Sequence, residues 1–403
     1  MSEDHSKTTP QNRAGRYVQQ PTGYRAFLPT PLPPHQPLRL EGELQASLSK
    51  ADLALGRLDG SIQTLPDPDI FVFMYVRKEA VLSSQIEGTQ SSLQDLLSAE
   101  AQIFSSDTPK DVDEVVNYVA AMNYGLARLT ELPMSVRLIK EIHERLLRGV
   151  RGCRFTPGEL RRTQNWIGHA GCTLREATFV PPPPHEVPSA LGALELFLHS
   201  DSPLPQLIQI GLAHAQFETI HPFLDGNGRI GRLLISFLLC QRGILLKPVL
   251  YLSHFFKKNR TEYYEYLQAI RDQGHWEQWL TFFLHGVCEV SAEATATARR
   301  ILALREEHRA AVATSLGRAA GNGHLVLDFL YRHPIVSVAK VQALTGTTYP
   351  AANNLVSSFV KIGILKEATG QKRNRVFRYS SYIAIFGDND TDQPEITKGA
   401  KQE

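Results

Sequence analysis

Cysteine is scarce in this chain, and the four present (Cys153, Cys172, Cys240 and Cys288) lie far apart with no CxxC pair. A disulfide framework and a cysteine-built zinc site are therefore excluded as organising principles, and a reducing compartment fits best. Net charge is nearly absent too: 43 Lys and Arg against 41 Asp and Glu leave a formal +2. No whole-protein field calls for nucleic acid or an acidic membrane, so any such partner must meet a local patch. A long uninterrupted apolar run is also missing. The most apolar stretch, RLLISFLLCQRGILLKPVLYL, is broken by Arg242, Gly243, Lys247 and Pro248, which makes it a poor membrane span. The N-terminal MSEDHSKTTPQNRAGRYVQQ lacks the apolar core of a signal peptide. Together these absences point to a soluble, cytoplasmic protein with no membrane partner.

What is present is ordinary for a globular chain: 403 residues, 42% hydrophobic and 21% charged, enough for two or three domains. Residues 1–60 read as an N-terminal arm and a first helix, the first forty being too rich in proline and glutamine for a packed helix. Residues 61–300 read as a mainly α core. FVFMYVRKEAVLSSQIEG has apolar residues at helical intervals, with Gly88 as its stop. EVVNYVAAMNYGLARL and SVRLIKEIHERLL continue the pattern, the second capped by Ser135. Arg162 to Val180 carries glycines and short β-prone runs and reads as a small hairpin or loop, closed by Pro181 to Pro184. Helices resume through ALGALELFLHS, LIQIGLAHAQFETI and RIGRLLISFLLCQRG, then from about Arg260 to Arg309. SLGRAAGNGH reads as a linker. Residues 321–386 then show three short helices and two strands joined by a basic turn, a winged helix-turn-helix pattern. The polar tail 387–403 reads as disordered.

Chemistry concentrates in HPFLDGNGRIGR, His221 to Arg232. One helix ends near His221 and another begins near Gly228, with a glycine loop between whose amides can turn inward. Such amides at a helix N-terminus seat phosphate oxygens. Arg229 and Arg232 add charge three residues apart. Asp225 is a carboxylate in a place built for anions, a conflict that Mg²⁺ bridging it to phosphates resolves. His221 is then placed to take a proton from an incoming hydroxyl. The composite is a phosphoryl or nucleotidyl transfer site; the bland alternative is a glycine-rich helix connector with incidental charges.

The string matches H-x-F-x-[DE]-G-N-G-R-x-x-R, the signature of the Fic (Fic/Doc) family, at every fixed position. The resemblance extends over most of residues 60–290 and implies transfer of AMP from ATP to a hydroxyl side chain of a target protein, the chain itself included. It implies His221 as general base and Asp225 as the Mg²⁺ ligand. Gly226, Asn227 and Gly228 would be the anion hole, Arg229 and Arg232 the phosphate clamps, and Phe223 a packing residue. The hairpin from Asn165 through Trp166, Ile167 and Gly168 resembles the flap that aligns a target segment, an ordinary surface hairpin being the alternative. Asn259 resembles an adenine-contacting asparagine, with a helix cap or surface polar group as its alternative. Tyr263 and Tyr264 read as packing residues. His143, His169, His185 and His254 have no ligand spacing and read as surface or core residues.

Upstream, SSQIEG holds Ser83-x-x-x-Glu87-Gly88. A glutamate in a last helical turn is disfavoured by the helix dipole and calls for a nearby cation. The fragment resembles the [ST]-x-x-x-E-[GN] inhibitory motif of Fic proteins, which implies a Glu87–Arg232 pair blocking the γ-phosphate seat. In some relatives the same glutamate serves a reverse, AMP-removing reaction.

Residues 321–386 hold eight basic and two acidic residues, a net +6. That favours DNA slightly over a protein-interaction module or a module that pairs two copies as a homodimer. Two further readings of the whole chain stay open: a DNA-binding regulator whose core only senses nucleotide, and transfer of UMP or a phosphate. An intact His221 favours an enzyme, because a sensor needs phosphate ligands but no base.

Overall fold

Proline, glycine and capping side chains set many of the helix ends in this chain. The computed structural model describes residues 12–65, 67–101, 109–169, 171–369 and 375–387. The start of the N-terminal arm (1–11), the basic turn at Lys372 and Arg373, and the tail 388–403 lie outside the described residues. The chain forms two compact units whose main division falls between Ala296 and Thr297.

The first unit opens with a hairpin, β1 (Gly15–Gln19) antiparallel to β2 (Arg25–Pro29), with Gly15 opposite Pro29. The arm, expected to be extended and not helical, is extended here and folded back on itself as a hairpin. The cause is burial: Phe27 is fully enclosed, with Tyr17 and Phe179 at ring-centroid distances of 5.0 and 6.1 Å. Helices α1 (Gly42–Gln63), α2 (Pro68–Ile86), α3 (Leu93–Glu100), α4 (Val112–Arg128) and α5 (Val136–Leu146) follow. Pro68 at the first position and the Asp67 side chain accepting from Asp69 N–H start α2, and Gly88 at φ +98° ends its course. Ser135 caps α5 by accepting from Leu138 N–H; such a cap contributes about 1 kcal/mol.

After the flap region come α6 (Val187–His199), α7 (Gln206–Ile220), α8 (Asn227–Gln241), α9 (Ser253–Lys258), α10 (Arg260–Gln273) and α11 (Trp276–Ser315). Every residue from Leu207 to Ile220 is buried, and so is α8 from Arg229 to Leu239. Helices buried all round belong in the middle of a unit. Here α7 packs on α8, and α2, α4 and α5 also pack on α8. Burying one such side chain, Phe217 or Phe237, contributes roughly 1.5–3 kcal/mol. This placement fixes both ends of the loop between α7 and α8 in the core.

The stretch 162–180, expected as a hairpin or loop, is a loop closed by a single antiparallel bridge, Ile167 with Phe179. Around it the chain is mostly turns.

In the second unit, the stretch read as a linker is the end of α11, a short 3-10 turn (Gly317–Ala319) and the start of α12 (Ala320–Leu330). Then come β3 (Ile335–Ser337), α13 (Val338–Thr345), α14 (Tyr349–Lys361), β4 (Lys366–Glu367), β5 (Val376–Arg378) and α15 (Ser380–Ala384). Ser337 and Thr348 cap α13 and α14. The sheet is antiparallel in the order β3-β5-β4, so one strand more than the two expected is present. Tyr331, Tyr379 and Tyr382 fill its core, and His308 Nδ1 lies 2.6 Å from the Tyr379 hydroxyl. Among the described residues no helix is long and apolar enough to cross a membrane.

Candidate active site

Helix α7 stops at His221, which takes a left-handed conformation (φ 49°, ψ 60°), and Pro222 prevents the helix from continuing. Phe223 turns fully inward and stacks on His143 at 3.7 Å between ring centres. The Asn227 side chain closes the loop on Phe223. Its Oδ1 accepts from Phe223 N–H at 2.9 Å and its Nδ2 donates to the Phe223 carbonyl at 2.8 Å. Gly226 sits at φ +79°, where a side chain would be strained, and places its carbonyl to accept from Ile230 N–H at 3.0 Å. The amides of Asn227, Gly228 and Arg229 therefore occupy the first turn of α8, which offers N–H groups no acceptor within the helix. That is an anion seat.

A carboxylate from the same chain lies against Gly228, in the first turn of α8. Glu87 follows α2, and its Oε1 pairs with Arg232 Nη2 at 2.7 Å. Arg232 also donates from Nε to Ser83 Oγ at 2.8 Å and from Nη2 to the Ser83 carbonyl at 2.9 Å. A Cβ on Gly228 would fall 2.3 Å from Glu87 Oε1, so glycine is required for this approach. The protein packed around Glu87 pulls its pKa up, but the charge and hydrogen bond of Arg232, with help from Arg229 and His221, outweigh that and leave it below the ordinary value.

Arg229 is differently occupied. It is 1% exposed, with Nη1 3.2 Å from Glu114 Oε2 and Nη2 3.5 Å from Asp225 Oδ1. Its guanidinium ties α4 to the loop. Asp225 keeps 33% of its side chain exposed, and its Oδ1 accepts from Gly226 N–H at 2.7 Å. Burial, then the charges of Arg271 and Arg161, push the pKa of His221 down to about 3, so the imidazole is neutral at pH 7. Its Nδ1 has no partner among the described residues.

The structure thus brings together His221, Asp225, Gly226, Asn227, Gly228, Arg229, Arg232, Ser83, Glu87 and Gly88. The flap residues stand beside them. Asn165 Nδ2 donates to the Phe223 and His221 carbonyls at 2.9 and 3.3 Å. Trp166 is 42% exposed and donates from Nε1 to the Cys172 carbonyl, and Gly168 packs on Cys172 Sγ. Asn259 stands at the junction of α9 and α10, donates to the Phe255 carbonyl at 3.0 Å and lines a cavity of about 1100 Å³.

Several residues escaped sequence reasoning. His143 accepts Gly158 N–H on Nδ1 at 2.8 Å, so its Nε2 carries the proton and donates to the Asp225 carbonyl at 2.9 Å. Burial pushes its pKa down to about 4. A histidine on the buried stripe of α5, and likewise Glu114 on that of α4, were the available signals. Arg161 and Arg271 offered none.

Residues 133–239 match the model of the Fic/DOC family, and residues 45–127 match that of its N-terminal region. The chain carries Fic/DOC family domains. The Fic domain therefore contains α5, the flap, α7, the loop and most of α8, while α2 with Glu87 lies in the N-terminal match. Proteins named protein adenylyltransferase Fic from Drosophila grimshawi and Drosophila willistoni are similar at 32% and 33% identity over 163 residues, 40% of this chain. The match spans only 30% and 29% of those relatives' lengths. A Fic family protein from Desulfovibrio desulfuricans G20, solved by crystallography, superposes with a TM-score of 0.56 at 19% identity, over 85% of this chain and 97% of that one. That likeness speaks to fold.

Proposed function

We propose that the chain is a protein adenylyltransferase, moving AMP from ATP to a hydroxyl side chain of a protein target, and that Glu87 holds it restrained. The observation that carries this reading is the Glu87 carboxylate on the N-terminus of α8, paired with Arg232 at 2.7 Å. It stands where an anionic phosphate would bind, so the protein's own anion and the nucleotide compete for one seat.

With Glu87 displaced, the first-turn amides of α8 and Arg232 would hold phosphate oxygens. The neutral His221 imidazole accepts the proton of the target hydroxyl, whose oxygen attacks the α-phosphorus. The bond to the β-phosphate oxygen breaks and pyrophosphate leaves. Arrival of phosphate charge beside the imidazole raises its proton affinity toward that of a competent base. The Asp225 carboxylate, one-third exposed at the mouth of the phosphate seat, fits Mg²⁺ as an oxygen donor. Asp225 would hold the ion, which when bound neutralises phosphate charge. The names of the relatives favour AMP over UMP or phosphate as the group moved. A strained, neutral histidine favours catalysis over nucleotide sensing alone.

The test is incubation with Mg²⁺ and each labelled nucleotide. Label from ATP should enter protein, and His221→Ala should abolish it. Incorporation that survives His221→Ala refutes the mechanism.

A second reading concerns residues 320–384. Helices α12–α14 with the antiparallel β3-β5-β4 sheet support a winged helix-turn-helix, and Arg332, Lys340, Lys361 and Lys366 are all exposed. We propose that this unit contacts nucleic acid through phosphates.

A further inference from the structure

His221 and Thr156 are the two non-glycine residues at positive φ among those described. A left-handed histidine persists only where its surroundings over-determine it. The determinant is Arg161, outside the signature and 2% exposed. Its Nε donates to the His221 carbonyl at 2.9 Å and its Nη2 to the Ile220 carbonyl at 3.4 Å. The same Nη2 donates to the Pro182 carbonyl at 2.6 Å, Nη1 reaches the Thr163 carbonyl at 3.5 Å, and the Arg161 N–H donates to the Pro222 carbonyl at 2.9 Å.

Each of these acceptors is a backbone carbonyl. Burying a guanidinium without a carboxylate is costly, and an apolar side chain would fill the space more cheaply. The contacts explain the expense, because they join three segments that chemistry requires in fixed relation. One is the end of α7 with the base. The second is the strand root leading to Asn165 and Ile167, and the third is the returning limb after Phe179. Gln164 reinforces the join by donating to the Pro181 carbonyl at 3.0 Å, and Asn165 holds the Phe223 carbonyl at 2.9 Å.

We propose that Arg161 is a positioning residue that locks the base His221 to the flap, so that a hydroxyl presented along Ile167 meets the imidazole. Arg161 touches no reacting atom; it acts through the backbone of His221. Burial and the charge of Arg271 oppose early protonation of the ring, and the fixed charge of Arg161 adds to that effect. The inference rests on the AMP-transfer reading.

The experiment uses the full chain carrying Glu87→Gly as parent, measured first for AMP incorporation with Mg²⁺ and labelled ATP. Arg161→Met should lower kcat about 100-fold, the scale for a base misplaced by about an ångström. KM for ATP and the ATP dissociation constant should stay within about twofold, because the phosphate seat on α8 is untouched. If Arg161→Met does not fold, Arg161→Lys, which keeps the charge but cannot reach all four carbonyls, should show the same split. An unchanged kcat overturns the proposal, as does a fall in kcat matched by an equal loss of ATP affinity. A parent with no incorporation refutes the adenylyltransferase reading itself and is recognised before any Arg161 variant is measured.

Discussion

Replacing Glu87 by glycine removes the carboxylate from the α8 N-terminus while leaving His221, Asp225 and the loop in place. The substitution deletes a charge-assisted hydrogen bond of 2.7 Å to Arg232, in which the Glu87 side chain is 32% exposed and that of Arg232 2% exposed. Such a bond contributes roughly 1.5–3 kcal/mol. If that energy holds the restrained state, its loss shifts the balance toward the nucleotide-competent state by about 10- to 150-fold. The assay is auto-incorporation of label from ATP with Mg²⁺, followed over time beside ATP affinity by titration. Incorporation and affinity should rise together, because one competitor for the seat has gone. Glu87→Gln, which keeps a hydrogen bond without charge, should fall between wild type and glycine. Equal incorporation by wild type and Glu87→Gly, with ATP affinity also unchanged, would refute the competition argument.

The buried Arg229–Glu114 pair predicts that Glu114→Ala, which leaves the guanidinium without its α4 carboxylate, costs about 3 kcal/mol in urea unfolding; a loss under about 1 kcal/mol would show that Asp225 alone suffices. Burial raises the pKa of Glu79 from 4.5 to about 7, so the folded state binds a proton that the unfolded chain has released. Its contribution is full below about pH 4.5 and is lost as pH rises to about 7. The stability difference between wild type and Glu79→Gln should therefore shift against wild type across that window, and parallel curves would contradict the assignment. Nucleic-acid binding by the second unit predicts that affinity for a labelled duplex, read by anisotropy, falls roughly tenfold or more from 50 to 200 mM salt. Salt-independent binding, or none at 50 mM, would remove that reading.

The helices were legible where apolar spacing and punctuation agreed: Ser135 caps α5, Gly88 ends α2, His221 ends α7, and α8 starts at Asn227, one residue before the Gly228 expected. The N-terminal hairpin was not legible, because Phe27 is held by Phe179, a residue 152 positions away. The flap shrank to one bridge for a similar reason. The carbonyls just beyond it, of Pro182 and Pro181, are taken by the Arg161 and Gln164 side chains in place of a partner strand. The role of Asn259 was not legible, because one asparagine suits a purine edge and a helix junction equally well.

The sequence by itself determined the chemistry available between His221 and Arg232, since spacing along one loop and one helix turn follows from backbone geometry. It also placed a glutamate at the end of α2, where a cation was needed. Tertiary structure brings the carboxylates to the arginines: Glu87 to Arg232 across 145 residues, the pair the resemblance implied, and Glu114 to Arg229 across 115, which no sequence motif announced. Pairings at that range depend on how α2 and α4 pack against α8, and a buried charge takes whichever partner the packing brings within reach.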